Sequence, residues 1–102
     1  MSAHRVSLDD RIQIHDHVIS RQLDGEIVML NLQTAMYFGL DPVATRVWTL
    51  IGDHHLLGAV FDVMIAEYDV AAETLRADLL KLADQLVTRG LIFVAPAEAN
   101  GS

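Results

Sequence analysis

Two histidine pairs, His15 with His17 and His54 with His55, are the side chains of this 102-residue sequence best suited to chemistry. Paired imidazoles bind zinc when a helix spaces them four apart or a third ligand stands at a familiar distance. Neither pair has that spacing or that third ligand, so both are read as surface or turn residues without a metal role. Asp9-Asp10 is an adjacent carboxylate pair, but neighbouring side chains in an unstructured arm point apart, and a solvated tail is the reading. Ser2, Ser7, Ser20 and Ser102 have no nucleophile-elbow sequence around them, and no GxGxxG or GxxxxGK phosphate loop is present. The sequence has no cysteine, which removes disulfides, thiolate ligands and a thiol nucleophile together. No catalytic centre, metal site or cofactor site emerges, and the expectation is a binding protein rather than an enzyme.

Charge narrows the partners. Fourteen acidic against seven basic residues give a net charge of -7 and a pI near 4.9. The basic residues Arg5, Arg11, Arg21, Arg46, Arg76, Lys81 and Arg89 are dispersed, so no stripe is offered to a phosphate backbone and nucleic acid is not expected as a partner. Hydrophobic residues make up 52% of the chain, which excludes disorder for most of its length. No apolar run approaches the ~20 residues needed to cross a bilayer. The first residues, MSAHRVSLDDR, contain no apolar signal region. One soluble cytoplasmic domain without a membrane partner is expected, stabilised by packing.

The elements follow from periodicity. Ile12 and Ile14 alternate with Gln13 and His15, and Val18 to Leu23 continues in extended style, which predicts a half-buried first strand. Asp24-Gly25 reads as a turn. Glu26 to Leu32 is nearly continuously apolar and is read as the central strand. Gln33-Thr34 closes a second hairpin into Ala35 to Leu40, where Met36, Phe38 and Leu40 alternate with Ala35, Tyr37 and Gly39. Asp41-Pro42 starts a helix, because the carboxylate accepts a free N–H and proline at the first position loses no bond. Val43, Val47, Leu50 and Ile51 share one face of it, and Trp48 is a core anchor. Gly52 to His55 breaks that helix. A second helix carries Leu57, Val60, Phe61, Met64, Ile65 and Tyr68, and a third runs from about Ala72 to Arg89, capped by Gly90. Leu91 to Val94 supplies a short final strand. The class is α+β, with a three-stranded antiparallel sheet followed by three helices on one of its faces. Residues 11–94 form the domain, between a flexible arm (1–10) and a flexible tail (95–102).

Two features mark a binding surface. The third strand, Ala35-Met-Tyr-Phe-Gly-Leu40, has neither charge nor proline, the usual protection of a sheet edge, so its unpaired backbone groups are suited to strand addition. The alternative is that Leu91 to Val94 folds back and pairs there. On the third helix, Leu75, Leu79, Leu82 and Leu86 define the core stripe, while Leu80, Ala83 and Val87 widen it to roughly 160°, with Arg76 at the flank. Either the first two helices cover this flank, or it walls a groove beside the third strand for apolar side chains of a peptide.

GEIVMLNLQTAMYFGLDPVATRVWTLI, followed by EYDVAAETLRADLLKLADQLVTRGLI, resembles the PqqD-like family over roughly residues 12 to 94. The matching features are Tyr37-Phe38-Gly39-Leu40, the helix with Val43, Ala44 and Trp48, the Glu67-Tyr68-Asp69-Val70 junction, and Leu86 through Arg89-Gly90-Leu91. The resemblance implies a winged-helix-like fold and a recognition element for ribosomally made, post-translationally modified peptides. The leader segment of the precursor would be added as a strand and presented to a modifying enzyme or leader protease. Position by position, it points to Ala35, Met36, Tyr37, Phe38 and Gly39 for backbone pairing and to Arg76, Leu79, Leu80 and Ala83 for the groove wall. The chain departs from the pattern at 53–58, which is apolar and holds Gly58, and at Ala71, where an acidic cap is usual and Asp69 would have to serve. Two other readings remain: a winged-helix regulator that binds DNA, and a small structural subunit that homodimerises through its sheet edge.

Overall fold

The structure is a computed structural model and describes residues 6–95. Its elements are β1 (Ile12–Ile14), β2 (Val18–Leu23), β3 (Glu26–Asn31), β4 (Met36–Leu40), α1 (Pro42–His54), α2 (Leu57–Glu67), α3 (Ala72–Thr88) and β5 (Ile92–Val94). β2, β3 and β4 form the three-stranded antiparallel sheet in that order, and the three helices follow it.

The extended stretch 11–23 is two strands rather than one. β2 pairs with β3 from Val18↔Asn31 to Leu23↔Glu26 and so uses the full length of β3. The residues before it have no partner in that sheet. They turn at 15–17, where the Val18 N–H meets the His15 carbonyl, and β1 pairs with β5 instead, Ile12 opposite Val94 and Ile14 opposite Ile92. The final strand therefore exists but does not lie against β4. Among the described residues, that leaves one side of β4 unpaired in the sheet.

Local chemistry explains the joints. Asp24 and Gly25 both have positive φ, 54° and 83°, the two-residue turn whose twist suits a hairpin. Asp41 accepts from the Ala44 N–H at 2.8 Å, and Pro42 opens α1. This helix buries Ala44, Thr45, Val47, Trp48, Leu50 and Ile51, whereas Val43, expected on the core face, sits in its first turn and is 50% exposed. At the end of α3, Gly90 has φ +73°, and the Leu91 N–H reaches back to the Leu86 carbonyl. Neither Ala71, at the N-cap of α3, nor Leu56, at that of α2, makes a side-chain cap.

The start of α2 is completed from elsewhere. Its Leu57 N–H donates to the Asp10 carbonyl at 3.1 Å, and the Ile12 N–H donates to the His55 carbonyl at 2.8 Å. The end of the N-terminal arm is thus packed: Val6 is buried, and Leu8 lies against the core. The rest of the arm and the tail, residues 1–5 and 96–102, lie outside the described residues. On the surface, Arg46 of α1 grips Glu67 at the end of α2 through both guanidinium and carboxylate ends. That hydrogen bond holds the Glu67 carboxyl below its ordinary range, although a pair so exposed adds little stability.

Candidate functional site

β4 is held by two polar side chains placed within apolar surroundings. Thr45 of α1 is buried; its hydroxyl accepts from the Ile27 N–H at 3.0 Å and donates to the Leu40 carbonyl at 3.2 Å. Since Ile27 and Leu40 are opposite one another, this one hydroxyl fixes the far end of the β3–β4 pair to the helix layer. Asn31, 1% exposed, does the same at the near end. Its amide nitrogen donates to the Arg89 carbonyl at 3.0 Å, and its oxygen accepts from the Gln33 N–H at 2.9 Å. Thr45 thus ties the Leu40 end of β4 to the helix layer directly, and Asn31 anchors the β3 residue opposite Met36. Sequence periodicity missed both residues, since each simply continues a strand or helix run.

The expected pairing residues divide. Ala35 lies in the turn at φ +59° and donates its N–H to the Asn31 carbonyl at 2.7 Å, so the free edge begins at Met36. Met36, Tyr37, Phe38 and Gly39 all belong to β4. Phe38 is half-buried and points to the helix side with Leu40, while Tyr37, 70% exposed, and Gly39 lie on the outer face.

Of the expected groove wall on α3, two residues lie in the core and two border separate hollows. Leu79 and Ala83 are buried in the core. Arg76 lines a hollow with Leu8, Phe61, Ala72 and Glu73, on the side of α2 and the N-terminal arm. Leu80 borders an open furrow with Asp84, Thr88 and Arg89, and Asp84 is the side chain that approaches the Val6 N–H. Arg89, the C-cap of α3, reaches β4: its guanidinium carbon lies 5.0 Å from the centre of the Phe38 ring. At 100° per residue Arg76 stands about 140° around the helix from Arg89, whereas Asp78 and Leu82 share Arg89's strip within about 20°. That strip is the part of α3 in line with the Arg89–Phe38 contact. The widened apolar arc marked α3 as unusual, and the arm reaches this side of it at Arg76, through Leu8, and at Asp84, through Val6.

The histidine pairs are structural. His15 stacks on His17 at 4.6 Å between ring centres and lies tilted against Phe93 at the same distance, and the His17 Nε2 bonds the Gly90 carbonyl. Burial and the neighbouring His17 push the His15 imidazole below its ordinary value, against a smaller opposing pull from Asp16. His54 closes α1, and His55 takes the left-handed position after it. Among the described residues, no three histidine, cysteine or acidic side chains converge as a metal site. No described helix is long and apolar enough to cross a membrane.

A charge-free strand bonded on one side only among the described residues, backed by helices and tied to them at its Leu40 end, defines a small winged-helix-like α+β domain with a strand-pairing edge. The chain belongs to the family of coenzyme PQQ synthesis protein D (PqqD), whose pattern residues 26–92 match. Among solved structures it is similar to TbiB1 in complex with the TbiA(beta) leader peptide, with 36% identity and a TM-score of 0.78 over 82% of this chain and 98% of that one. The fold also matches that of lasso peptide synthetase B1 complexed with the leader peptide, with 20% identity and a TM-score of 0.74 over 81% of this chain and 98% of that one. No curated protein matches the chain.

Proposed function

We propose that this protein captures the leader segment of a ribosomally made precursor peptide and presents it to a modifying enzyme or leader protease. The observation that carries the reading is the free edge of β4, Met36 to Leu40, in a chain whose 36%-identical structural relative is bound to a leader peptide. A leader strand laid along β4 points alternate side chains inward, beside Phe38, Leu82 and Arg89, and the others outward beside Tyr37 and Gly39. Strand addition at a net ~1 kcal/mol per backbone hydrogen bond and ~2 kcal/mol for each buried aliphatic anchor offsets the ordering of a flexible peptide. Affinity on the order of micromolar follows.

The protein binds and does not react in this scheme. The outer face of the sheet, where Ile19, Leu23 and Tyr37 are exposed, stays open when a strand is added. It offers the partner enzyme an apolar surface continuous with the peptide. An acidic chain with dispersed arginines gives no comparable support to DNA binding.

The test is amide exchange with the TbiA(beta) leader peptide and with leaders of related precursors. Alternate amides within Met36–Leu40 become protected, because only every second N–H of an edge strand faces outward, and resonances of Leu82 and Arg89 shift. Saturation with no protection in β4 would overturn the reading.

A further inference from the structure

Gly39 is a glycine that its own fold does not require. Its φ lies outside the left-handed region, and a Cβ built on it meets nothing within 4 Å. Glycine in a strand carries an entropic cost and contributes no packing, so a position with neither strain nor crowding gains from a larger residue. Gly25 and Gly90, by contrast, hold positive φ. The missing side chain lies on the outer face of β4, two residues from Tyr37 on that face and directly opposite Val28, which is itself opposite Arg21. Arg21, Val28 and Tyr37 also border a shallow hollow of about 350 Å³ on this face. The notch at Gly39 therefore opens at the rim where β4 has no neighbouring strand.

We infer that Gly39 is the floor of an outer-face subsite that receives one bulky apolar side chain of the peptide strand added to β4. The inference rests on the strand addition proposed above. A peptide residue paired with Gly39 directs its side chain to the outer face, where it can lie across the glycine onto Val28 and against Tyr37. Large cross-strand neighbours compensate edge glycines in this way. The adjacent peptide residue points inward beside Phe38. The protein thus reads consecutive peptide residues on opposite faces of the sheet, and a side chain at position 39 would close the outer reading while leaving the inner one intact.

The experiment selects binders from a displayed library of random twelve-residue peptides on the native protein and on Gly39→Val, with amide protection in Met36–Leu40 confirming where the selected peptides sit. Gly39→Val keeps or raises the thermal midpoint. Native-selected peptides carry a bulky apolar residue at one position and lose about tenfold in affinity on the variant. Peptides selected on Gly39→Val carry glycine, alanine or serine there and keep the same inward residues. Equal preference at that position on both proteins, with β4 protected, overturns the subsite and leaves strand addition standing. Selected peptides that protect no β4 amide overturn both.

Discussion

At the scale of single residues, the fold turns on polar groups that satisfy backbone atoms from a distance. Thr45 is the sharpest case, because valine keeps its shape and removes both of its bonds, leaving the Ile27 N–H and the Leu40 carbonyl unpaired. Thr45→Val is expected to lower unfolding free energy by ~1–3 kcal/mol, read from the urea midpoint at unchanged m-value. The helix-cap role of Asp41 and the turn role of Asp24-Gly25 were legible in the sequence because their partners are local. Thr45 and Asn31 were not, because each also bonds a distant partner, Ile27 and Arg89, 18 and 58 residues away. His15 gives a pH dependence of definite sign. Its folded-state pKa lies below the ordinary 6.5, owing first to burial and then to His17, so the unfolded chain binds the extra proton more readily. The associated stability is complete above pH 6.5 and is lost as pH falls through the folded-state value. His15→Gln should flatten that part of a denaturation-midpoint profile between pH 7 and 5, while an unchanged profile would assign the slope to other groups.

Elements show where periodicity carries information and where it stops. The hairpins, the three helices and the open third strand all followed from local pattern and turn chemistry, and the free edge of β4 is where that pattern placed it. Whether 11–23 forms one strand or two is decided by the six-residue length of β3, which lies outside the segment itself. The side of α3 that faces β4 was equally hidden. A wheel gives angles within a helix, but Val6 arriving at Asp84 and Leu8 beside Arg76 decide which angle is covered. Leu79 illustrates the consequence: at 2% exposure its replacement tests the core rather than peptide binding. A cleaner element-level probe is Ile19 on β2, 48% exposed on the outer face and two strands from the binding edge. Ile19→Asp should leave peptide affinity within about twofold by titration calorimetry, yet slow processing of the bound leader by the partner enzyme tenfold or more, since a charge is placed in a desolvated contact. Unchanged processing would remove the outer face as the enzyme's contact.

Across the whole molecule, the first and last described strands close on each other and so leave the edge of β4 free among the described residues. β5 lies on β1, the Ala95 N–H donates to the Arg11 carbonyl at 2.8 Å, and Ile12, Leu91 and Ile92 are at most 1% exposed. The two sheets divide the work: the β1–β5 pair seals the core, and the β2–β3–β4 sheet exposes β4. Had β5 paired with β4, the same residues would have sealed that free edge. Ile92 is the side chain on which this separation can be tested, because it belongs to the sealing pair and lies outside the peptide's path. Ile92→Ala removes buried methyl groups from a packed site and should cost ~2–5 kcal/mol, a large share of the ~5–15 kcal/mol typical of a domain this size. The thermal midpoint should fall steeply, while peptide affinity measured well below that midpoint stays near the native value, because the folded state presents the same β4. A loss of affinity in fully folded Ile92→Ala protein, shown by native-like amide dispersion, would mean instead that the β1–β5 pair shapes the binding edge directly.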